Sequence, residues 1–185
     1  VLYMIPKALM RVKGEELIPG EPADEKELKA MVDAPLGDRS KWKPRWPELQ
    51  DYTVPIGKGK ITRAGDAATV VSYGRMMHVC SQAIEQIKNE TGREVELIDM
   101  RTLYPYDWQM IKVSIEKTRR VLFVNEDTEV TNFGEHLLRR TVEELFYSLD
   151  ARPRVLAGKN LPGIGLSPIL EENSAPQVEH VTHEL

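Results

Sequence analysis

The sequence contains little of what marks secreted, membrane-spanning or nucleic-acid-binding proteins. Cys80 is its one cysteine, so an intrachain disulfide is excluded, and with no base or motif beside it we expect Cys80 to pack in the core of a protein from a reducing compartment. No apolar run approaches the roughly 20 residues that cross a bilayer, so we expect no membrane contact. Acidic residues exceed basic ones by 29 to 25, which argues against a nucleic-acid partner.

Catalytic motifs are equally scarce. The sequence has no G-x-S-x-G turn for a nucleophile, and neither the G-x-G-x-x-G nor the Walker spacing for phosphates follows Gly74, although Gly74 precedes a predicted helix. His180 and His183 lie three residues apart without a third metal ligand, so a solvated tail explains them better than a metal site. Glu126 follows an apolar segment, and its position supports only a packing or loop-tying role. The residues alone therefore give no active site.

From about residue 66 onward, apolar residues alternate between strand-like and helix-like spacing. Strands are predicted at 68–73, 94–99, 121–124 and 154–157. Helices are predicted at 76–89, from a cap at Asp107 to about 117, from a cap at Asn132 to 149, and from Ser174 onward. Such alternation builds a sheet with helices on both faces, so the sequence predicts an α/β fold, a three-layer αβα sandwich with a mostly parallel central sheet.

The first 60 residues differ from the rest of the chain. Residues 1–12 open with the apolar run VLYMIPKALM, which predicts a strand, and we expect this segment to be the end of an upstream domain. Residues 13–60 are predicted to be a long irregular connector with one short helix near 23–32, because seven of the 12 prolines lie in the first 60 residues. Residues 61–185 then form the main domain.

Two of the three tryptophans, Trp42 and Trp46, lie in this connector among basic residues. One interpretation is that their rings hold the connector against the domain. The other is a partner surface, because Trp and Arg are enriched at the residues that dominate binding energy. The sequence leaves both interpretations open.

An acid, an arginine and a threonine lie close together at the carboxyl end of the second predicted strand. Asp99, Arg101 and Thr102 follow the apolar part of the strand, and Pro105 then breaks it. In open α/β sheets, functional loops follow the carboxyl ends of strands. Either the three residues satisfy each other and nearby backbone groups, or they face a ligand or another chain.

Four segments in a fixed order carry a resemblance to a known family. They are TVVSYGRMMH (69–78), EVELIDMRTLYPYD (94–107), EKTRRVLFVNED (116–127) and NFGEHLLRR (132–140). In this order they resemble the carboxyl-terminal, transketolase-like domain of the β subunit of E1, the thiamin-diphosphate-dependent 2-oxo acid dehydrogenase. The opening residues are similar to the last strand of the pyrimidine-binding domain that precedes it. Asn132 and Phe133 depart from the glycine-rich turn of the family, and the connector is longer than usual.

The resemblance implies an enzyme complex of which this chain is one part. E1 oxidatively decarboxylates a 2-oxo acid, either pyruvate or a branched-chain acid, and transfers the acyl group to lipoyl-E2. Thiamin diphosphate and Mg²⁺ are then expected between the α subunit and the amino-terminal domain of β, so we expect this fragment alone to bind neither and to be inactive. The implied location is the bacterial cytoplasm or the mitochondrial matrix.

The resemblance also implies partners and site residues. The partners are the E1 α subunit, a second β subunit and the E2 acyltransferase binding domain. Asp99, Arg101 and Thr102 become an interdomain and intersubunit hydrogen-bonding set, because a buried Arg near an Asp makes charge-assisted bonds of fixed geometry. Asp150 matches the acid that docks E2, and the terminal carboxylate of Leu185 assists it.

Two alternatives stay open at the level of sequence. The last domain of a transketolase or a deoxyxylulose-phosphate synthase has the same architecture, although the wording DMRTLYPYD and EKTRR favours the E1 β subunit. A non-catalytic interaction module would also fit the composition, but its chain is not expected to open with an unpaired apolar strand.

Overall fold

The structure is a computed structural model of the chain, and it has two compact units, Val1–Pro55 and Ile56–Leu185. The residues that it describes are 1–11, 23–32, 53–163, 165 and 167–185. Trp42 and Trp46 lie outside the described residues, so both interpretations of them stay predictions.

The first unit contains two short helical segments among its described residues. They are a 3₁₀ helix at Lys7–Arg11 and helix α1 at Glu25–Val32, and α1 confirms the helix predicted near 23–32. The strand predicted at the start of the chain is wrong, because residues 1–6 have no regular structure. A strand needs a hydrogen-bonded neighbour, and the described part of this unit provides none.

Five strands of the second unit form one sheet with the order β1-β3-β2-β4-β5. The last four are parallel, whereas β1 pairs antiparallel with β3 at one edge. The four predicted strands are confirmed, β4 runs beyond its predicted end at 124, and the sequence did not predict β1. The bounds are β1 Lys60–Arg63, β2 Ala68–Ser72, β3 Val95–Asp99, β4 Val121–Thr128 and β5 Arg154–Gly158.

Helices connect the strands and close the chain. The structure confirms the four predicted helices, but the helix predicted from Asn132 to 149 ends at Leu145, and the last helix begins at Val178 rather than at Ser174. It adds a short helix at Pro168–Glu172, which was not predicted. No helix in the described part of the chain combines the length and apolar character needed to cross a membrane. The bounds are α2 Met76–Thr91, α3 Trp108–Thr118, α4 Phe133–Leu145, α5 Pro168–Glu172 and α6 Val178–Glu184.

The helices cover both faces of the sheet, which confirms the three-layer sandwich. On one face, Ile84 of α2 and Val181 of α6 pack on the strands. On the other face, Ile111 of α3 and Leu137 of α4 do the same, around Phe123 of β4. Each large apolar side chain buried in this way contributes roughly 1.5–3 kcal/mol relative to an exposed one.

Cys80 is a residue of α2 and is fully buried, as predicted. Burial raises the pKa of its thiol to about 12, and a hydrogen bond with Ser72 opposes this only in part. The thiol is therefore protonated and inert at neutral pH, as a residue of the core is expected to be.

Two apolar side chains of the segment predicted as the helix 132–149 are exposed. Val142 is 38% exposed and Phe146 is 61% exposed, whereas Leu137, Thr141 and Leu145 are buried. The buried residues are four apart and form the stripe that meets the sheet. Val142 follows Thr141 by one position, so its side chain lies outside that stripe. Phe146 begins a 3₁₀ turn rather than continuing the helix.

Candidate functional site

The carboxyl ends of β2 and β4 lie side by side at the centre of the sheet. Because β3 and β4 lie on opposite sides of β2, this is where the strand order reverses, the usual place for a site in such folds. The Ser72 hydroxyl donates to the Val124 carbonyl at 2.8 Å, which joins the two strand ends. Arg75 Nη1 lies 3.8 Å from Glu126 Oε2 across the same edge. Glu126 is exposed, and this contact fits the loop-tying role that its position indicated.

Tyr73 follows β2 at this edge. Burial, followed by the negative charges of Asp127 and Glu126, raises the pKa of Tyr73 to about 12. The phenol is therefore protonated at neutral pH, and it offers a hydrogen-bond donor rather than a base.

Asp99, Arg101 and Thr102 lie on the loop after β3, where the sequence placed them. Asp99 Oδ1 accepts from the Arg101 backbone N–H at 3.1 Å, and Thr102 Oγ1 accepts from the Gly57 N–H at 3.1 Å. The expected buried arginine is wrong for the chain by itself: Arg101 is exposed, with a φ of 56°, and Asp99 binds its backbone two residues along. These contacts fix the loop locally and leave the guanidinium accessible. The intersubunit role of the three residues stays a prediction.

Asp107 begins α3, as predicted. Its Oδ1 accepts from the Met110 N–H at 3.3 Å, which satisfies one of the unpaired donors at the start of the helix. Its Oδ2 lies 3.7 Å from Lys58 Nζ, and the carboxylate is 11% exposed. The loop after β3 is therefore attached at its far end to both a helix and the residues that precede β1.

A cluster of aromatic and charged side chains joins this loop to α4. The Arg140 guanidinium lies 4.4 Å from the centre of the Trp108 ring and donates to the Tyr106 hydroxyl at 2.7 Å. The same hydroxyl lies 2.8 Å from His136 Nε2. Glu144 accepts from Arg140 at 2.7 Å and from the Trp108 indole at 2.9 Å, and these bonds lower the pKa of Glu144. The sequence did not predict this cluster, because its only local signal is the four-residue spacing of His136, Arg140 and Glu144 on α4.

A buried polar network lies beneath α3. Glu96 of β3 is 1% exposed, and its carboxylate accepts from the Ser114 hydroxyl and from Lys117 Nζ. Ser114 Oγ lies 2.7 Å from Thr69 Oγ1, which lies 2.7 Å from Thr118 Oγ1. The sequence did not predict this network either. Its only signal is Glu96, an acid inside an otherwise apolar strand, whose side chain points to the face of the sheet that α3 covers.

Asp150 is exposed, but its carboxylate is already paired. Its Oδ1 accepts from Arg119 Nε at 2.7 Å, and its N–H donates to the Arg119 carbonyl at 2.9 Å. Leu185 packs partly against the core under α2 and α6, and Arg154 of β5 pairs with Glu184 beside it. The described contacts of Asp150 and Leu185 are thus separate, and their docking role stays a prediction.

The remaining candidates have structural roles. His180 and His183 are both exposed on α6, and His180 Nδ1 accepts from the Gln177 N–H at 3.0 Å, which caps that helix. Asn132 caps α4 by accepting from the Glu135 N–H at 3.2 Å, as predicted. Across the residues that the structure describes, no three of His, Cys, Asp and Glu are grouped so that they could hold a metal ion.

Comparison with known proteins identifies the family to which the chain is similar. Residues 57–181 match the family described as "Transketolase, C-terminal domain". A solved structure titled "Split gene transketolase, inactive beta4 tetramer" has a TM-score of 0.63 and 21% identity, and the match covers 76% of this chain and 45% of that one. At that identity the likeness shows the fold alone, and it agrees with the three layers described above.

Curated relatives extend the match. The 2-oxoisovalerate dehydrogenase subunit beta of Bacillus subtilis (strain 168) is 35% identical over 122 residues, which are 66% of this chain and 37% of that protein. The mitochondrial pyruvate dehydrogenase E1 component subunit beta of Homo sapiens is 37% identical over 138 residues, which are 73% of this chain and 38% of that protein. The chain thus spans less than half the length of these relatives, and the resemblance to E1 β subunits is confirmed. The chain belongs to the transketolase C-terminal domain family.

Proposed function

We propose that the chain is the carboxyl-terminal part of the β subunit of a 2-oxo acid dehydrogenase E1 component. The observation that carries the proposal is the family match over residues 57–181 together with β subunits that are 35% and 37% identical. The parent reaction is oxidative decarboxylation of pyruvate or a branched-chain 2-oxo acid, with acyl transfer to lipoyl-E2. The compartment is the bacterial cytoplasm or the mitochondrial matrix, since the relatives include both bacterial and mitochondrial proteins.

The role of this chain in that enzyme is assembly rather than turnover. Thiamin diphosphate supplies the electron sink for decarboxylation in such enzymes. The described residues do not fit the diphosphate group of this cofactor and its Mg²⁺. No three of His, Cys, Asp and Glu among them are close enough together to hold a metal ion, and the loop at Gly74 lacks a phosphate-binding spacing. We therefore assign the ligands of the cofactor to other parts of the enzyme, and contacts with subunits to this chain.

Calorimetric titration of the chain with thiamin diphosphate and Mg²⁺ tests this division of roles. We expect no saturable heat and no decarboxylation of pyruvate or of a branched-chain 2-oxo acid. The intact E1 heterotetramer, titrated in the same buffer, is the positive control. Saturable micromolar binding to the chain alone would place the cofactor site here and contradict the proposal.

The loop with Asp99, Arg101 and Thr102 is proposed to contact the α subunit or the second β subunit. Support comes from the exposure of Arg101 on a loop that two hydrogen bonds attach, one to Asp99 and one from Gly57 to Thr102. Arg101→Ala should leave the fold intact and weaken the heterotetramer, as sedimentation velocity would measure. Arg139→Ala, on the exposed side of α4, is a matched control. Equal assembly of both variants would remove this loop from the interface.

The E2 binding domain is proposed to dock at Asp150, with assistance from the carboxylate of Leu185. Asp150 follows an exposed aromatic pair, Phe146 at 61% and Tyr147 at 96%, whose ring centres lie 5.4 Å apart. Aromatic side chains are enriched at the centres of interfaces, and an exposed acid close to them in the sequence favours a cationic, partly apolar partner. The Asp150 carboxylate forms an ion pair with Arg119 in the free chain, so a cationic group of the partner must compete with Arg119.

Asp150→Arg tests the docking surface. It reverses the charge and places a second cation beside Arg119, so we expect binding of the E2 domain to weaken by about 2 kcal/mol or more, mainly through faster dissociation. An exposed position of this kind changes stability by about 0.5 kcal/mol. Surface plasmon resonance with the intact E1 heterotetramer measures the effect, and Glu143→Arg, an exposed acid on α4, is the control. Unchanged affinity in Asp150→Arg would move docking elsewhere.

A further inference from the structure

A cavity of about 370 Å³ lies between α3 and the edge strand β1, over the face of β3. Helix α3 lies against β2, and its Ser114 and Lys117 side chains reach Glu96 of β3. Its lining combines polar and charged side chains with three apolar ones, Ile61, Met110 and Val113. Ile61 is 43% exposed and Val113 is 54% exposed, so this apolar part is open to solvent. The volume falls within the range of small-molecule sites.

The charges around the cavity are arranged by depth. Lys58 pairs with Asp107 at one end, where the lysine side chain is 67% exposed and the carboxylate 11%. Lys117 pairs with Glu96 at the other, where the lysine is 46% exposed and the carboxylate 2%. Both carboxylates are thus covered, and both ammonium groups reach the solvent. A molecule that enters the cavity therefore meets positive charge, although the four side chains sum to zero.

The covered carboxylates are also already bound. Glu96 accepts from Ser114 and Lys117, and Asp107 accepts from the Met110 N–H. An ammonium group has three N–H donors, and Lys117 uses one of them on Glu96, so donors stay available for an incoming oxygen. A carboxylate satisfies such donors with charge-assisted bonds, whereas an amine would meet two cations.

We propose that this cavity binds a small carboxylic acid with an aliphatic tail. The carboxylate lies at Lys58 or Lys117, and the tail lies along Ile61, Met110 and Val113. A phosphate is disfavoured, because it would leave the apolar side chains of the cavity unused. This inference rests on the cavity alone and does not depend on the proposed function.

Titration of the 185-residue chain with hexanoate, followed by ¹H–¹⁵N correlation spectra, tests the proposal. We expect saturable shifts of the amides in 58–61 and 109–117, with one dissociation constant for all of them. Hexan-1-ol and hexylamine carry the same tail without the negative charge, and they should bind at least tenfold more weakly. Shifts spread over the whole chain, or equal affinity for the amine, would overturn the proposal.

Variants separate the charge from the wall. Lys58→Met should weaken hexanoate binding roughly threefold to fivefold, the range expected for one partly exposed ion pair. Val113→Glu leaves the Glu96–Lys117 pair in place and puts a like charge at the entrance, so it should weaken binding at least tenfold. Lys88→Met is the matched control, since Lys88 pairs with Glu94 on the opposite face. Unchanged affinity in both cavity variants would contradict the assignment.

Discussion

Replacing Lys117 with methionine would leave the buried carboxylate of Glu96 without its cation. The methionine keeps most of the aliphatic stem and removes only the ammonium group, so packing against the cavity wall is largely conserved. Glu96 would retain the hydrogen bond from Ser114 and no opposite charge among the contacts described for it. We expect a clear loss of stability, because a charge inside the protein depends on its partner far more than a charge in water does.

The size of the loss follows from the exposure of the two groups. Removing one member of a fully buried ion pair costs roughly 3–5 kcal/mol, and an exposed pair contributes only about 0.2–1 kcal/mol. Here the carboxylate is 2% exposed and the lysine 46%, so the pair lies between these limits. We expect the free energy of unfolding to fall by about 2 kcal/mol, which corresponds to a decrease in Tm of about 4–8 °C for a chain of this size.

A double-mutant cycle with Glu96→Gln isolates the electrostatic part. In the Gln background, Lys117→Met should cost about 0.5 kcal/mol or less, which leaves a coupling energy of about 1.5 kcal/mol. Urea unfolding followed by circular dichroism measures all four proteins. Lys88→Met, which breaks a pair exposed by 45% and 43%, should change stability by less than about 0.5 kcal/mol. A similarly small change for Lys117→Met, or strictly additive effects, would refute the reasoning.

Two further predictions concern single side chains. Asp107→Ala removes the cap of α3 and should lower the free energy of unfolding by about 1 kcal/mol. An unchanged Tm would show that this cap does not stabilise the domain. Tyr73 has a pKa raised from 10.0 to about 12, so its contribution to stability is fully present below pH 10 and is lost as the pH rises toward 12. In titrations of absorbance at 295 nm, Tyr73→Phe should therefore abolish a step near pH 12, and a smaller step near pH 10 instead would show that Tyr73 is not shifted.

The elements that the sequence predicts are those with a local signal. The run Val121–Val124 is apolar throughout, as a strand covered on both faces requires, and Asp107 and Asn132 have the chemistry of helix caps. Strand β1 has no such signal. Three of its four residues are polar, and it is a strand because β3 lies beside it. Pairing of this kind joins distant segments, so it is absent from any local pattern.

The candidate site is less predictable than the fold for the same reason. Lys117 lies 21 residues from Glu96, and Arg119 lies 31 residues from Asp150. The sequence places Asp150 directly after a predicted helix, but no local pattern indicates that Arg119 lies beside it. Arg101 also has a positive φ, which is uncommon outside glycine and depends on the conformation of the whole loop.

The antiparallel direction of β1 decides how a mechanical load enters the domain. Lys60, at the start of β1, pairs with Asp99 at the end of β3, and the Gly57 N–H donates to Thr102 just before it. Force applied at Ile56 therefore reaches the loop of Asp99 and Thr102 before it reaches the helices that cover the sheet. A pull along the axis of β1 loads its hydrogen bonds with β3 in shear, all together, whereas a pull across the sheet would open them one at a time.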